Sequence, residues 1–261
     1  MKTGFARVDI TPFCGIGLSG YFNYRFNDGY LDPLYASAVA VSDGEKTAVL
    51  MSVDIIGIPM IQEWLPAIAE SAGVPKDAVM VACTHTHTAP SLRGGDHDPK
   101  YNEFLLRRLC DAAKMAVADL TNSKIYTAHS KVYDIAFIRR FRMKNGEVKT
   151  NPGIFNPDIV APIGEPDPQL QAVLIKREGK KDILLVQYQV HPDVIGGTKA
   201  SADFPGFCRS FGCYHKGGRI GYRSSYHRLS RCRFPSRHMG SDRIYVSDTR
   251  HCIHRISACL S

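Results

Sequence analysis

The chain changes character between residues 207 and 208, and the change limits how much of it can build a core. Residues 1–207 hold 22 of the 33 Lys and Arg against 23 Asp and Glu. The last 54 residues hold 11 against 2, so the net charge of +8 belongs to the tail. That tail carries ten Arg, nine Ser, five His and five Cys, with no Glu, Gln or Asn. Its apolar residues show no period. A segment without an apolar face cannot offset the entropy lost on ordering it. Residues 1–207 are therefore expected to carry the folded domain, and 208–261 to lack a native fold.

Three origins of the tail compete. A basic segment with interleaved Tyr and Phe has the footprint of a nucleic-acid-binding extension. Five Cys and five His suggest a metal module, but spacings such as Cys208 to Cys213 are irregular, and no Cys-x-x-Cys pair occurs. A reading-frame shift near codon 208 gives the same sudden richness in Arg, Ser, Cys and His. The abruptness of the break favours the frame shift and makes nucleic acid a disfavoured partner.

Residues 1–207 read as alternating strands and helices. "TAVLMSVD" (47–54) and "AVMVACT" (78–84) are short apolar runs of strand length. "MIQEWLPAIAESAG" (60–73) has helical spacing and ends in Gly73. In residues 101–120, Leu105, Leu109, Ala112, Ala116 and Leu120 share one helix face. Residues 124–143 look extended, with a hairpin turn at Asn145-Gly146. The five prolines of 151–168 predict a loop. "LQAVLIKR" and "DILLVQYQV" flank "EGKK" as a second hairpin. The mixture predicts an α/β domain, with α+β as the alternative, built on a mixed central sheet with flanking helices.

No run approaches 18 apolar residues, so no membrane-spanning helix is expected. The N-terminus lacks the apolar stretch of a signal peptide, which predicts a cytoplasmic chain. A true start further upstream would permit a secreted or periplasmic one. Oligomeric state is not legible, and no disulfide framework is expected.

Three apolar strands end in residues of metal-ligand type: Asp54, His85 with His87, and His191. Sites in open α/β sheets form at the carboxyl ends of strands. If the strand continues through residues 84–87, His85 and His87 project to the same side. Two imidazoles aimed at one point, with a third from a neighbouring strand, suit zinc. The plainer reading stays open beside it: polar residues in a turn, Asp54 capping that turn, His191 in a loop. His97 and His129 read as surface residues.

Four motifs then converge. "GFARVDITP", "GYLDPLYASAVAVSDG", "THTHTAP" and "VHPDVIGGTKASADFPGF" together resemble the neutral/alkaline non-lysosomal ceramidase family, in the order that family shows, over residues 4–207. The resemblance implies a zinc amidase that cleaves the N-acyl bond of ceramide, or a related N-acyl lipid, to a sphingosine-type base and a fatty acid. It implies Zn2+ held by His85 and His191, with His87 assisting the chemistry beside the metal. It places a substrate-amide arginine at Arg139 or Arg140, of which Arg139 is preferred, although Ile138 stands where the family has asparagine. Family members are much longer, and their further ligands lie downstream. The resemblance therefore implies an incomplete catalytic domain, whose alternative is an inactive truncated product.

Overall fold

The computed structural model describes residues 1–133 and 135–214. Nearly all of the basic tail lies outside the described residues, and so does the expectation that it lacks a native fold. The elements run β1 (Lys2–Asp9), β2 (Gly17–Leu18), β3 (Arg25–Phe26), β4 (Gly29–Tyr30), β5 (Tyr35–Ser42), β6 (Thr47–Val53), α1 (Ile61–Ala72) and β7 (Val79–Cys83). They continue with α2 (Pro99–Ala118), β8 (Thr121–Lys131), β9 (Arg140–Met143), β10 (Val148–Thr150) and β11 (Ile159–Pro162). β12 (Gln169–Arg177), β13 (Ile183–Tyr188), β14 (Lys199–Ala200) and α3 (Asp203–Tyr214) complete the set.

The architecture is α/β. A mixed seven-stranded sheet has the order β13-β12-β8-β1-β5-β6-β7. β1, β5 and β6 form an antiparallel meander, from Lys2 opposite Ser42 to Ala36 opposite Val53. β6 and β7 are parallel, Val49 to Val53 beside Val79 to Cys83. Parallel neighbours need a crossover, and α1 provides it. Gly73 ends that helix in the left-handed conformation, with its N–H on Glu70 O.

The chain divides into two compact units. The first comprises Met1–Ile125, Ile175–Ile183 and the described residues from Pro192 onward. Its core lies between one sheet face and two helices. Ala36, Ala38 and Ala40 of β5, and Val49, Met51 and Val53 of β6, are buried against Leu65 and Ile68 of α1 and Leu105, Leu109 and Ala112 of α2. The small β5 residues let α2 lie close. At Gly4 on β1 the fit is tighter still, since a Cβ there would stand 1.9 Å from Ala116 O. Asp98 caps α2 by accepting from Lys100 N, with Pro99 at the first helical position.

The second unit comprises Tyr126–Leu174 and Leu184–His191 among the described residues. It contains a three-stranded sheet, β10-β9-β11. The Asn145-Gly146 turn joins β9 to β10, with only Gly146 at positive φ. The proline-rich stretch differs from the expected loop, because Ile159–Pro162 pairs with β9. Prolines suit such an edge, where no ladder donor is needed.

α3 crosses the compositional break, continuing from Asp203 to Tyr214. Among the described residues, no helix is long and apolar enough to cross a membrane.

Candidate functional site

The parallel strands β6 and β7 end level, at Val53 and Cys83. Their pairing outlasts the ladder by two bonds, Thr84 N to Val53 O at 2.9 Å and His85 N to Ile55 O at 3.0 Å. His85 then takes φ of 69°, a left-handed conformation rare for a residue with a side chain. The expected continuation of the strand through His87 is thus replaced by a turn. The alternation of side chains survives it. Thr86 and Thr88 are buried and both donate to Ser201 O, at 2.8 and 3.2 Å. The rings of His85 and His87 meet edge to face, 5.2 Å apart.

Each histidine offers a ring nitrogen, and the two lie within 4.8 Å of each other. His85 Nδ1 is 2.7 Å from Ile56 O. A carbonyl only accepts, so Nδ1 carries the proton and Nε2 the lone pair that a metal requires. His87 is buried, and its Nδ1 is 3.7 Å from a carboxylate oxygen of Asp193. This donor chemistry fits a borderline-soft divalent ion such as zinc. His191 belongs to the second unit. The imidazoles of His85 and His87, both in the first unit, can contribute to holding a metal ion.

Sequence reasoning missed the bracing of the pair. Arg25 is buried in the first unit and reaches three carbonyls, Gly197 O, Ser19 O and His87 O, each at 2.6 Å. Its guanidinium stacks 3.9 Å from the Tyr21 ring centroid. Burial lowers the Arg25 pKa, yet the three carbonyls match the fork of a charged guanidinium. Tyr21 donates its hydroxyl to Asp193 Oδ1 at 2.7 Å. Burial, and then that bond, raise the Tyr21 pKa and keep the hydroxyl a donor at neutral pH. Gly20 has φ of 105°, and a Cβ there would fall 2.7 Å from His87 Cβ and Cγ. Short pairings fasten this loop beside the histidines, Ser19 N to Ala89 O at 2.9 Å and Ser91 N to Gly17 O at 2.8 Å.

Two carboxylates, Asp203 buried and Asp32 half-buried, hold the neighbouring segment. Asp203, at φ of 55°, accepts from Val194 N and Ile195 N at 3.0 and 2.8 Å. It thereby fixes the backbone next to Asp193. Asp32 accepts from Ser201 Oγ and from Ala202 N. Burial raises its pKa against both bonds. Their only cue in the sequence was polar residues inside "GYLDPLY" and "SADFPGF".

Asp54 is no turn cap. It is fully buried, accepts from Tyr35 N at 2.8 Å and from Thr84 Oγ1 at 3.3 Å, and forms a two-pronged ion pair with Arg209 of α3. Its oxygens are committed to the fold. Arg139 lies in the second unit just before β9, with its carbonyl accepting from Asn151 N at 2.9 Å, and Arg140 begins that strand.

A cleft of about 630 Å³ opens beside His85, lined among others by Tyr21, Phe22, Tyr24, Ile58 and Leu92. Phe22 and Tyr24 are exposed. An aromatic and aliphatic wall next to polar, ligand-type nitrogens can receive a molecule with an apolar tail and a polar reacting group.

No protein-family model and no curated protein matches the sequence. Solved structures do share the fold. Neutral ceramidase from Pseudomonas aeruginosa superposes with a TM-score of 0.63 at 18% identity, over 84% of this chain and 36% of that one. A ceramidase complexed with C2 gives a TM-score of 0.59 at 20% identity over the same shares. The chain therefore spans little more than a third of the length of the proteins it resembles.

Proposed function

We propose that this chain carries part of the active site of a zinc-dependent amide hydrolase, acting on ceramide or a related N-acyl lipid. The products are a sphingosine-type base and a fatty acid. The observation that carries the reading is the His85–His87 pair at the carboxyl ends of parallel β6 and β7, in a fold shared with two ceramidases.

His85 and His191 hold the metal in this reading. When bound, zinc supplies Lewis acidity toward an amide carbonyl and toward water. His85 is prepared by Ile56 O, which directs its lone pair to Nε2. His87 carries a proton on a ring nitrogen, taking it from water and passing it to the departing amine. Arg139 or Arg140 offsets negative charge growing on the amide oxygen. The cleft wall of Tyr21, Phe22, Tyr24 and Ile58 takes the apolar part of the substrate and excludes water from it.

Zinc content after equilibrium dialysis tests the ligands, and hydrolysis of a short-chain fluorescent ceramide tests the substrate. Loss of zinc in His85→Ala, with zinc-dependent turnover lost alongside it, is the expected result. Equal zinc in the two proteins overturns the assignment of His85. Zinc binding without turnover of any N-acyl sphingoid base overturns the substrate.

A further inference from the structure

His87 has more holding it than a metal ligand or proton carrier needs for packing alone. Gly20 makes room for its side chain, because a Cβ there would fall 2.7 Å from His87 Cβ and Cγ. Arg25 fixes its carbonyl at 2.6 Å. The Tyr21 ring stands perpendicular to the imidazole with centroids 6.0 Å apart. The same tyrosine reaches past it to Asp193 Oδ1, and that oxygen faces His87 Nδ1. Asp193 is itself set by Asp203, which holds the next two backbone amides.

We propose that Tyr21 and Asp193 are positioning residues that select the tautomer of His87, keeping the proton on Nδ1 and the lone pair on Nε2. The distance of 3.7 Å is too long for a direct hydrogen bond, so the carboxylate acts through its field. A negative oxygen beside Nδ1 favours the form whose N–H dipole points at it. The Tyr21 hydroxyl occupies one lone pair of Oδ1 and stops the carboxylate from turning away. A carboxylate oxygen retains further acceptor sites, so the tyrosine does not compete with the imidazole. Neutral imidazole otherwise populates both tautomers, and only one leaves Nε2 able to take a proton or a metal. Arg25 completes the device by stacking on Tyr21 and holding the backbone of both loops.

The inference deepens the hydrolase reading and rests on it for what His87 does. Its test does not need turnover. The full chain labelled with ¹⁵N-histidine and stripped of metal reports each tautomer by its nitrogen shifts, and His87 is identified by the signal missing in His87→Gln. The expected result is an Nδ1-protonated His87 at neutral pH. Asp193→Ala shifts it toward the Nε2-protonated form, and Asp193→Asn, which keeps an oxygen in place, shifts it less. Tyr21→Phe retains the ring contacts and moves the tautomer ratio in the same direction by about fivefold, the equivalent of one lost hydrogen bond. Circular dichroism confirms that each variant folds, and Tyr21→Phe carries the test if the Asp193 variants do not. An Nε2-protonated His87 in the unaltered chain overturns the proposal. So does a ratio unmoved in every variant that folds. Zinc titration of the same samples separates the two readings: an Nδ1-protonated His87 that responds to Tyr21→Phe, in a chain that takes up no zinc, defeats the metal site and leaves the positioning pair standing.

Discussion

The two faces of β6 and β7 are built from similar residues and meet different surroundings. On one face Val49, Met51 and Val53 are 0–3% exposed beneath the helices. On the other, Leu50 is 41% exposed and Met80 64%. Near-continuous apolar runs are the mark of strands buried on both faces. Among the described residues only one face is covered, so the same apolar character is core on one side and adhesive surface on the other. Hydrophobicity identifies a strand here, but only packing tells which of its side chains carry stability.

That contrast can be broken most strongly from the covered side. Gly4→Ala places a methyl group inside the backbone of α2 and is expected to lower stability by about 3 kcal/mol. Urea unfolding measures it; a loss below about 1 kcal/mol would mean that α2 can move off β1. Acid gives an intermediate effect. Partial burial pulls the Asp119 pKa up, but bonds from Lys180, Phe5 N–H and Arg177 outweigh it and hold the carboxyl at about 2. A depressed pKa stabilises the fold above the ordinary value of 3.8 and loses that contribution as pH falls toward 2. Asp119→Asn should therefore lower the unfolding midpoint at pH 6 and match the unaltered chain near pH 2. A difference unchanged between those pH values would show that the carboxylate's charge is not what matters. The smallest change is expected on the bare face. Met80→Lys should shift stability by no more than about 0.5 kcal/mol while reducing self-association in light scattering. A loss as large as that of Gly4→Ala would show that this face is covered after all.

Much of the fold was legible because it is local. The helix over 60–73 and its glycine stop, the periodic face of α2, and the strands β6, β7, β12 and β13 all announce themselves within a dozen residues. β11 did not, because proline content hides a short edge strand. The site was legible only in its histidines. The spacing of His85 and His87 suggested rings that meet, although a left-handed turn rather than strand geometry brings them together. Arg25 was invisible because its partners present only carbonyls, and two of the three, His87 and Gly197, are distant in sequence. Asp54 drew attention as a strand-end acid, but Arg209, 155 positions away, claims its oxygens. A carboxylate's role depends on which cation reaches it, and sequence proximity does not say.

The φ of 69° at His85 sets a limit on how this protein can be improved. A side-chain-bearing residue in that conformation costs roughly 1 kcal/mol or more relative to glycine. Selection for heat resistance alone would exchange His85 for glycine, or for asparagine, and would gain ruggedness by erasing an imidazole of the candidate site. Directed evolution toward thermostability should therefore screen for metal uptake at every round, because the easiest gain at this position also removes a proposed ligand.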